Sequence, residues 1–286
     1  MSTGPFVYPA PMLSRRQLLV GAGAGLWMGA LAPQTLAQVT DLEGLDPLWR
    51  DAEHAIRAFF GDVGFEHDGI EIDLPQHADA GHSVPITVRF DCAMTPDDYP
   101  RVVHMVMDGN PTPHALSAWF LPGAGRAEFS TRVRLETSQT VTVVAQMSDG
   151  RHLRADRSIT VSFGACGQIG TGTDDDVRAF QPVPRVSVPA TARRGEIIPV
   201  RALISHPMET GMRRDATLGW IRQRIISRFG CVYNGREIFR ARPYPAISTN
   251  PYFSFFARAE ESGEFEFSWY DTFDMTFTAS AQIEVT

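Results

Sequence analysis

The sequence predicts an all-β protein of two tandem immunoglobulin-like β-sandwich domains, with one helix at the start of the first domain. Three observations carry this prediction. Short runs of alternating apolar and polar residues recur along the chain, turn signals such as Asp149-Gly150 and Asn234-Gly235 separate them, and the second half repeats the arrangement of the first. With 286 residues and 43% apolar content, the chain is long enough for two such domains.

The first residues are typical of an export signal that is cleaved from the mature protein. Arg15-Arg16 precede an apolar, small-residue run from Leu18 to Ala32, and Thr35-Leu36-Ala37 is a suitable cleavage site. This pattern resembles a twin-arginine signal peptide over residues 1–37, and its apolar run is too short and too rich in Gly and Ala for a membrane span. We therefore expect a periplasmic protein without a membrane span after processing. A retained N-terminal anchor is the alternative.

One helix is expected at the start of the first domain, from about Pro47 to Phe60. Asp46 can cap it, Pro47 suits its first turn, and apolar residues recur on one face at helical spacing. Packing of this face on the first sheet is the commoner use of such a stripe, and a groove for a partner is the alternative.

The rest of the first domain alternates between strands and turns. In one stretch Val84, Ile86 and Val88 fall on the same face, which is the period of a β-strand. We expect strands over Ile70 to Leu74, Ser83 to Phe90, Arg101 to Met107, Ala127 to Leu135, Thr140 to Gln146 and Arg157 to Phe163.

The second half repeats this arrangement. The stretch from Gly195 to Ala202 parallels that from Gly81 to Val88. Further strands are expected over Gln223 to Tyr233, Arg236 to Ala241, Tyr252 to Ala257, Glu264 to Tyr270 and Asp274 to Val285. The mature chain therefore divides into a first domain over residues 38–165, a linker over residues 166–182 and a second domain over residues 183–286.

A glycine-rich run with one cysteine joins the two domains. Glycine gives a segment conformational freedom and close access, so we interpret Cys166 as a thiol on a flexible arm. The glycines that would supply this flexibility are Gly164, Gly167, Gly170 and Gly172. A plain linker with an idle cysteine is the alternative.

Three aspartates, Asp174 to Asp176, follow the cysteine run. We interpret them as part of a solvated linker, with Pro182 and Pro184 as a stiff exit from it. A calcium site is only weakly indicated, because the spacing and the glycine of an EF-hand loop are missing.

The chain contains three cysteines, Cys92, Cys166 and Cys231. An odd number leaves at least one thiol unpaired within the monomer, and Cys166 is the natural candidate. Burial as small apolar residues is the default for Cys92 and Cys231, and a disulfide between the domains is the alternative.

The charge balance argues against nucleic acid or an anionic membrane as a partner. Removing residues 1–37, which contain two arginines and no acid, changes the net charge from −7 to −9.

The chain lacks the sequence signatures of an enzyme. Its eight histidines are scattered, none has the spacing of a metal-binding motif, and no nucleophile elbow, Walker loop or dinucleotide fingerprint occurs. We therefore predict no catalytic residue, no metal and no cofactor, and we expect His104 to be a packed strand residue.

The second half carries motifs that resemble a known family. His206-Pro207-Met208-Glu209-Thr210-Gly211-Met212-Arg213-Arg214-Asp215 is the most specific of them, and Asn234-Gly235 and Gly263-Glu264-Phe265-Glu266-Phe267-Ser268-Trp269 accompany it. Together they resemble the SoxZ subunit of the bacterial sulfur-oxidation carrier SoxYZ.

The first half resembles the partner subunit, SoxY. The matching stretches include Ser83-Val84-Pro85-Ile86, Asn110-Pro111-Thr112-Pro113 and Thr131-Arg132-Val133-Arg134-Leu135. The whole chain is therefore similar to a SoxY–SoxZ fusion, most of all to the single-chain SoxYZ-like carriers associated with quinoprotein dehydrogenases. The role of those carriers need not be thiosulfate oxidation.

The resemblance implies a role for Cys166. SoxY ends in a Gly-Gly-Cys-Gly-Gly arm whose cysteine covalently carries sulfur intermediates to successive enzymes, and Cys166 occupies the matching position. Here Ala165 and Gln168 replace two of the glycines, and the chain continues into the second domain. A loop held at both ends reaches out by at most half of its contour length of about 3.3–3.6 Å per residue, which limits insertion into a partner.

Four other residues are candidates for contacts with cargo or partner. Arg151, Arg154 and Arg157 could raise the thiolate fraction of Cys166 and hold an anionic cargo, while a solvated hairpin face is the alternative. His206 could shape a recognition loop, or it could simply form a turn.

We therefore expect a non-catalytic periplasmic carrier that holds a sulfur-containing intermediate on Cys166. Its expected partners are periplasmic oxidoreductases, of the Sox type or of a quinoprotein dehydrogenase system. Two alternatives stay open: a thiol-dependent redox enzyme, and a binding or chaperone module that uses the edges of its sandwiches. A homodimer through Cys166 also stays open.

Overall fold

A computed structural model of the protein describes residues 51–165 and 172–286. Within these residues, β-strands are the main secondary structure. The strands are β1 Ile70–Asp73, β2 His77–Ala80, β3 Val84–Phe90, β4 Pro100–Met107, β5 His114–Phe120, β6 Glu128–Val133, β7 Gln139–Met147, β8 His152–Phe163, β9 Val183–Ser187, β10 Thr191–Ala192, β11 Ile197–Ser205, β12 Ile226–Tyr233, β13 Arg236–Pro243, β14 Tyr252–Arg258, β15 Gly263–Asp271 and β16 Thr276–Val285. The helices are α1 Ala52–Phe60 and α2 Asp174–Ala179, with a 3-10 turn at Pro122–Ala124. The prediction of an all-β, immunoglobulin-like fold with a short N-terminal helix is confirmed.

Two sheets face each other, and each contains strands from both halves of the chain. The smaller sheet has the order β1-β3-β6-β14-β11-β9, and the larger has the order β10-β16-β15-β12-β13-β5-β4-β7-β8-β2. In the larger sheet β5 and β13 pair antiparallel, from Phe120 opposite Phe239 to Leu116 opposite Pro243. In the smaller sheet Ser130 of β6 pairs with Ser254 of β14. The described segments 51–165 and 183–286 are thus joined by backbone pairing.

The core also runs across the two halves. Phe120 and Phe239 have ring centroids 5.4 Å apart, and Phe129 lies 6.2 Å from Phe239. Alternation places these rings between the sheets: in β3, for example, Val84, Ile86, Val88 and Phe90 are buried, as the sequence predicted. Burial of large aromatic side chains at this junction stabilises the pairing of the halves.

Helix α1 covers the outer face of the larger sheet. It begins at Ala52 because the Asp51 carboxylate accepts a hydrogen bond from the His54 amide at 2.7 Å, so Asp51 is the cap of the described helix. The predicted cap, Asp46, and the predicted first turn at Pro47 lie outside the described residues. The helix buries Ala52, Ala55 and Ile56 against Val106 of β4 and Val144 of β7. The prediction that this face packs on a sheet is therefore confirmed.

The acidic run after the cysteine segment, interpreted from the sequence as solvated linker, forms a short helix. The Thr173 hydroxyl accepts from the Asp176 amide at 3.2 Å, and the Asp176 carboxylate accepts from the Thr173 amide at 2.8 Å. This reciprocal capping starts α2 at Asp174. The negative charges of the first turn also favour a helix N-terminus. Within the described residues, no helix is long and apolar enough to cross a membrane.

Candidate functional site

The predicted attachment residue Cys166 lies outside the described residues, together with Gly167 and Gly170. The signal peptide over residues 1–37 also lies outside them. Predictions about these residues stay predictions. The structure does describe the residues on either side of 166–171, and Ala165 and Gly172 are the flanking positions.

The residues before Cys166 are fixed by backbone contacts at the end of β8. The Gly81 amide donates to the Phe163 carbonyl at 2.7 Å, and the Ala165 amide donates to the Leu135 carbonyl at 3.0 Å. A Cβ atom on Gly164 would lie 2.1 Å from the Glu136 carbonyl oxygen. Gly164 is therefore required by close packing of two backbones, which corrects its assignment as a source of arm flexibility.

The residues after the segment are fixed by charged side chains. The Arg213 guanidinium donates to the Gly172 carbonyl at 3.1 Å and pairs with the Glu209 carboxylate at 2.7 Å. A Cβ atom on Gly172 would meet only Asp176, at an ordinary 3.4 Å. Packing therefore does not require glycine at this position, and its flexibility role stays a prediction.

A buried ion pair holds the far end of α2. Arg224 is 3% exposed, and its Nε atom lies 3.0 Å from Oδ2 of Asp271. The same guanidinium donates to the carbonyls of Val177 at 2.7 Å and Phe180 at 2.9 Å, where the helix ends. Arg224 thus satisfies carbonyl groups that the end of a helix leaves without partners.

His206 lies inside this network, with a fully buried side chain. Its Nδ1 atom accepts from the Met208 amide at 3.1 Å, and its Nε2 atom lies 3.8 Å from Oδ2 of Asp271. Burial, assisted by the charge of Arg224 and opposed by that of Asp271, lowers the pKa of His206 from 6.5 to about 4. The neutral ring shapes the turn, and in this conformation it cannot touch a partner or cargo. This corrects its assignment as a contact residue.

The first half of the chain also forms hydrogen bonds with the turn that begins at His206. Arg134 follows β6 and donates to the Met208 carbonyl at 2.7 Å and to the Thr249 hydroxyl at 2.8 Å. Sequence reasoning missed the roles of Arg134, Arg213 and Arg224, although the first two lie inside the family-like stretches.

A groove opens where these elements meet. Its volume is about 1050 Å³, and both halves of the chain contribute to its walls. The charged side chains that line it are Arg132, Arg134, Glu136, Arg185, Glu209 and Arg213. Ala165, the residue before Cys166, lines it as well. The groove is therefore the described surface that lies directly beside the cysteine segment.

The three predicted arginines of the first half lie elsewhere. Arg151 pairs with Asp149 at 2.6 Å, and Arg154 pairs with Glu53 at 2.7 Å. Arg157 is exposed on β8. None of the three lines the groove. The ion pairs of Arg151 and Arg154 are those of a solvated protein surface, the alternative that the sequence left open.

The two cysteines that the structure describes are poorly placed for chemistry. Both are free thiols, so the disulfide between the halves is not formed. Cys231 is fully buried, which raises its pKa well above the ordinary range. Burial also raises the pKa of the half-buried Cys92. Since the thiolate is the reactive form, neither is an effective nucleophile.

Several large apolar side chains are exposed. Leu218 and Trp220 are 72% and 62% exposed on the loop that ends the His206 motif, and the Arg214 guanidinium lies 4.5 Å from the Trp220 ring centroid. Phe163, at the end of β8, is 74% exposed. No sequence pattern had predicted that these side chains are exposed. Among residues 51–165 and 172–286, no group of three or more His, Cys, Asp or Glu could hold a metal ion.

The chain matches two protein-family models in tandem. Residues 56–166 match the model of the sulfur oxidation protein SoxY, and residues 186–282 match that of the sulphur oxidation protein SoxZ. Comparison with curated proteins finds no match.

Solved structures match parts of the chain. The sulfur carrier protein SoxY from Chlorobium limicola f thiosulfatophilum is 29% identical, with a TM-score of 0.33, over 38% of this chain and 94% of that one. A superoxide reductase (neelaredoxin) from Ignicoccus hospitalis is 17% identical, with a TM-score of 0.31, over 39% of this chain and 86% of that one. A putative superoxide reductase from Thermotoga maritima is 17% identical, with a TM-score of 0.30, over 40% of this chain and 93% of that one.

The two family matches agree with the motifs of both halves, and the SoxY match ends at Cys166. The chain belongs to the SoxYZ family of sulfur-oxidation carriers, as a fused form with SoxY and SoxZ domains in tandem.

Proposed function

We propose that this protein holds a sulfur-containing intermediate covalently on Cys166 and presents it to partner oxidoreductases. SoxY and SoxZ are families of sulfur-oxidation carrier proteins. The observation that carries the proposal is the burial of the two described thiols, Cys92 and Cys231, beside a SoxY match that ends at Cys166. Burial raises the pKa of Cys92 and Cys231, which leaves Cys166 as the thiol available for attachment.

Loading of Cys166 needs an oxidoreductase. When its thiol joins a sulfur anion X–S⁻ as Cys166–S–S–X, the thiol releases one proton and the two sulfurs release two electrons. The partner oxidoreductase accepts these electrons. A cysteine thiol at the reference pKa of about 8.5 is roughly 3% ionised at pH 7, a fraction that suffices for enzyme-assisted exchange.

The proposed location is the periplasm, reached through the twin-arginine signal at residues 1–37. The proposed partners are oxidoreductases of the Sox type or of a quinoprotein dehydrogenase system, because the fused chain resembles the carriers associated with such enzymes. The genes that surround this one, of sulfur oxidation or of alcohol oxidation, would distinguish the two.

A module that binds partners by strand addition is the second candidate function, and it would use an open sheet edge. The outer strands of the smaller sheet, β1 and β9, have four and five residues. Those of the larger sheet, β2 and β10, have four and two. Because β10 pairs only with Glu284 and Val285, the larger part of β16 is left as the edge that a partner strand could join.

Intact-mass analysis of the protein purified from its native cells tests the proposal. We expect a mass increase that maps to Cys166 when the pathway is induced, and loss of pathway function in Cys166→Ser. Cys92→Ser is the matched control, and it should leave both the adduct and the pathway intact. An unmodified Cys166 under inducing conditions, together with a functional Cys166→Ser strain, would refute the carrier role.

A further inference from the structure

We propose that this chain forms a two-fold symmetric dimer through the outer face of the larger sheet, in the part formed by β12, β13, β15 and β16. We call this surface the open face. Helix α1 packs on β4 and β7, so it covers another part of the same sheet. The proposal goes beyond the carrier function and does not rest on it, because no residue of the cysteine segment takes part. It also differs from a dimer through Cys166.

Alternation along the strands separates the open face from the core. In β15, Phe267 and Trp269 are buried between the two sheets, and Glu266 and Ser268 alternate with them. The neighbouring strands β12, from Arg228 onward, and β16 alternate in the same way. The open face is therefore a continuous surface of strand side chains that the core does not use.

A glycine lies at the centre of the open face. Gly230 is in the middle of β12, which pairs with β13 on one side and β15 on the other. Its neighbours Phe229 and Cys231 are buried in the core, so Gly230 faces outward. A Cβ atom on Gly230 would meet only the Ser268 hydroxyl, at an ordinary 3.4 Å, so packing within the chain does not require glycine here. Glycine weakens a strand interior, and it often marks the close approach of another backbone. The position therefore points to a partner surface.

The side chains beside Gly230 are small on one side and large on the other. Ser268 of β15 lies opposite Gly230, and Thr278 of β16 lies opposite Ser268. On the other side, Arg240 of β13 lies opposite Gly230, and its guanidinium is 5.0 Å from the ring centroid of Trp119 at the border of the open face. Arginine and aromatic residues are enriched where proteins meet. A flat centre with such a border suits face-to-face packing.

The two ends of the open face carry opposite charges. Arg228 lies opposite Tyr270, and its guanidinium is 3.9 Å from the Tyr270 ring centroid. Glu266 lies opposite Val232, four residues further along β12, or about 14 Å away at about 3.4 Å per residue. Arg228 and Glu266 are both exposed, and within residues 51–165 and 172–286 neither forms an ion pair. The open face therefore has a positive end at Arg228 and a negative end at Glu266.

This charge pattern is complementary to itself. A two-fold axis that runs across the strands at the level of Gly230 places the positive end of each copy over the negative end of the other. Arg228 of one copy then faces Val232 and Glu266 of the other. An axis along the strands would instead place like charges over each other, which is unfavourable. Charge complementarity thus selects a second copy of this chain as the occupant, with its strands antiparallel to those of the first.

The area of the open face is close to what a stable dimer needs. Four strands about 4.8 Å apart and about 3.4 Å for each of the eight residues of β12 give a flat area of about 500 Å². Projecting side chains make the accessible area larger than the flat area. A standard interface buries about 800 Å² from each partner. Because most of these side chains are polar, we expect association at micromolar concentrations.

Sedimentation velocity of the full mature chain tests the dimer. A reductant would be present, so that no disulfide contributes to the association. We expect a reversible dimer whose share rises between about 1 and 100 μM. Gly230→Gln should weaken the association about tenfold or more, because the added side chain occupies the space that the other copy needs. Its thermal unfolding should match that of the parent, because the new Cβ atom meets only Ser268.

Two charge reversals test the contact between opposite ends. In Arg228→Glu the two positions are both negative, and in Glu266→Arg they are both positive. Each variant alone should therefore associate about tenfold or more weakly than the parent. A mixture of the two variants restores a contact of opposite charges at both places where the copies meet. Native mass spectrometry, which separates the two masses, should show a mixed dimer with about the affinity of the parent.

Arg157→Glu is the matched control. It reverses the charge of an exposed arginine on β8, outside the open face, and it should leave the association unchanged. If it weakened the association as much as Arg228→Glu does, general repulsion between negatively charged chains would be the cause, and the proposal would be wrong.

Three other results would overturn the dimer. The first is a parent chain that stays monomeric up to about 100 μM in reductant. The second is a dimer that persists unchanged in Gly230→Gln, because the edge of β16 or another surface would then form it. The third is a mixture of the two charge-reversed variants that does not associate.

Discussion

The two sides of the cysteine segment are held by different physical means. Before it, Gly164 and Ala165 are fixed by backbone contacts with Leu135 and Glu136, and the packing requires that Gly164 has no side chain. After it, the residues from Gly172 onward are fixed by the side chains of Arg213 and Arg224. We call the contacts of Gly164 and Ala165 the packed anchor and the contacts of Arg213 and Arg224 the charged anchor. The packed anchor is sensitive to added side-chain volume, and the charged anchor is sensitive to the loss of a charged side chain. Four substitutions or conditions can break or sharpen this contrast.

The largest effect is expected for Arg224→Met. The substitution leaves Asp271 buried without its partner and removes the donor to the carbonyls of α2. Breaking a buried ion pair in this way lowers the free energy of unfolding by about 3–5 kcal/mol. Urea unfolding would measure it. Arg222→Gln, which removes a side chain 65% exposed, is the control and should cost less than about 1 kcal/mol. If Arg224→Met and Arg222→Gln lowered the free energy of unfolding equally, the buried ion pair would not be what stabilises the residues after the segment.

Gly164→Ala should come next. The new Cβ would press on the Glu136 carbonyl at 2.1 Å, so the backbone must move. Overpacking of this kind lowers the free energy of unfolding by about 1–3 kcal/mol. Hydrogen exchange of the Ala165 amide, which donates to Leu135, should accelerate as well.

Gly172→Ala is the matched substitution on the other side. Its Cβ meets nothing closer than 3.4 Å, so stability should change by less than about 0.5 kcal/mol. Similar effects of the two alanines would abolish the contrast between the anchors.

Acid should weaken the charged anchor through His206. Its folded-state pKa of about 4 lies below the ordinary 6.5, so the unfolded chain binds the proton first as the pH falls. The free energy of unfolding that the neutral His206 contributes is therefore fully present at pH values above 6.5. It is lost as the pH falls from 6.5 toward 4. At pH 5 the loss is about 2 kcal/mol.

Proton NMR titration of the histidine rings would check this assignment. His104, which burial holds at a pKa of about 3, serves as the comparison, because it lies under α1 and outside the anchor. A His206 ring that titrates near pH 6.5 would contradict the buried position described above.

Among the changes that remove a described contact, the smallest loss is expected for Thr173→Ala. The variant removes the hydroxyl that accepts from the Asp176 amide, and loss of such a cap costs about 1 kcal/mol. Asp175→Ala, in the same turn but without a capping bond, is the control, and urea unfolding would again be the measurement. A loss in the control equal to that in Thr173→Ala would point to helix charge rather than to the cap.

The sequence was most informative where one face of a strand is buried and the other is not. Val84, Ile86 and Val88 alternate, and β3 was predicted from them. Strand β5 was missed because six of its seven residues are buried, so no alternation marks it. The pairing of β5 with β13 joins residues far apart in the chain, and local patterns carry no information about such contacts.

The site was predictable only in part, for similar reasons. The motif that begins at His206 was visible as a stretch of sequence, but the burial of its histidine depends on Asp271 and Arg224 from other strands. Thr173 and Asp176 did have capping-box spacing, yet a helix of six residues leaves too short a window for periodicity to be recognised. The groove combines residues of β6, β9 and β11 with the His206 turn, and no local pattern shows that these lie together.

The pairing of β5 with β13 bears on how the working unit is assembled. Two separate chains that met along this seam would lose translational and rotational freedom at each encounter, and dilution would separate them. In one chain the partner strand is present at an effective concentration of about millimolar whatever the dilution, because the two halves are covalently linked. The fusion therefore fixes a one-to-one ratio of the two halves. A single cut between Ala165 and Gly172 would leave the shared sheets and core to hold the halves together.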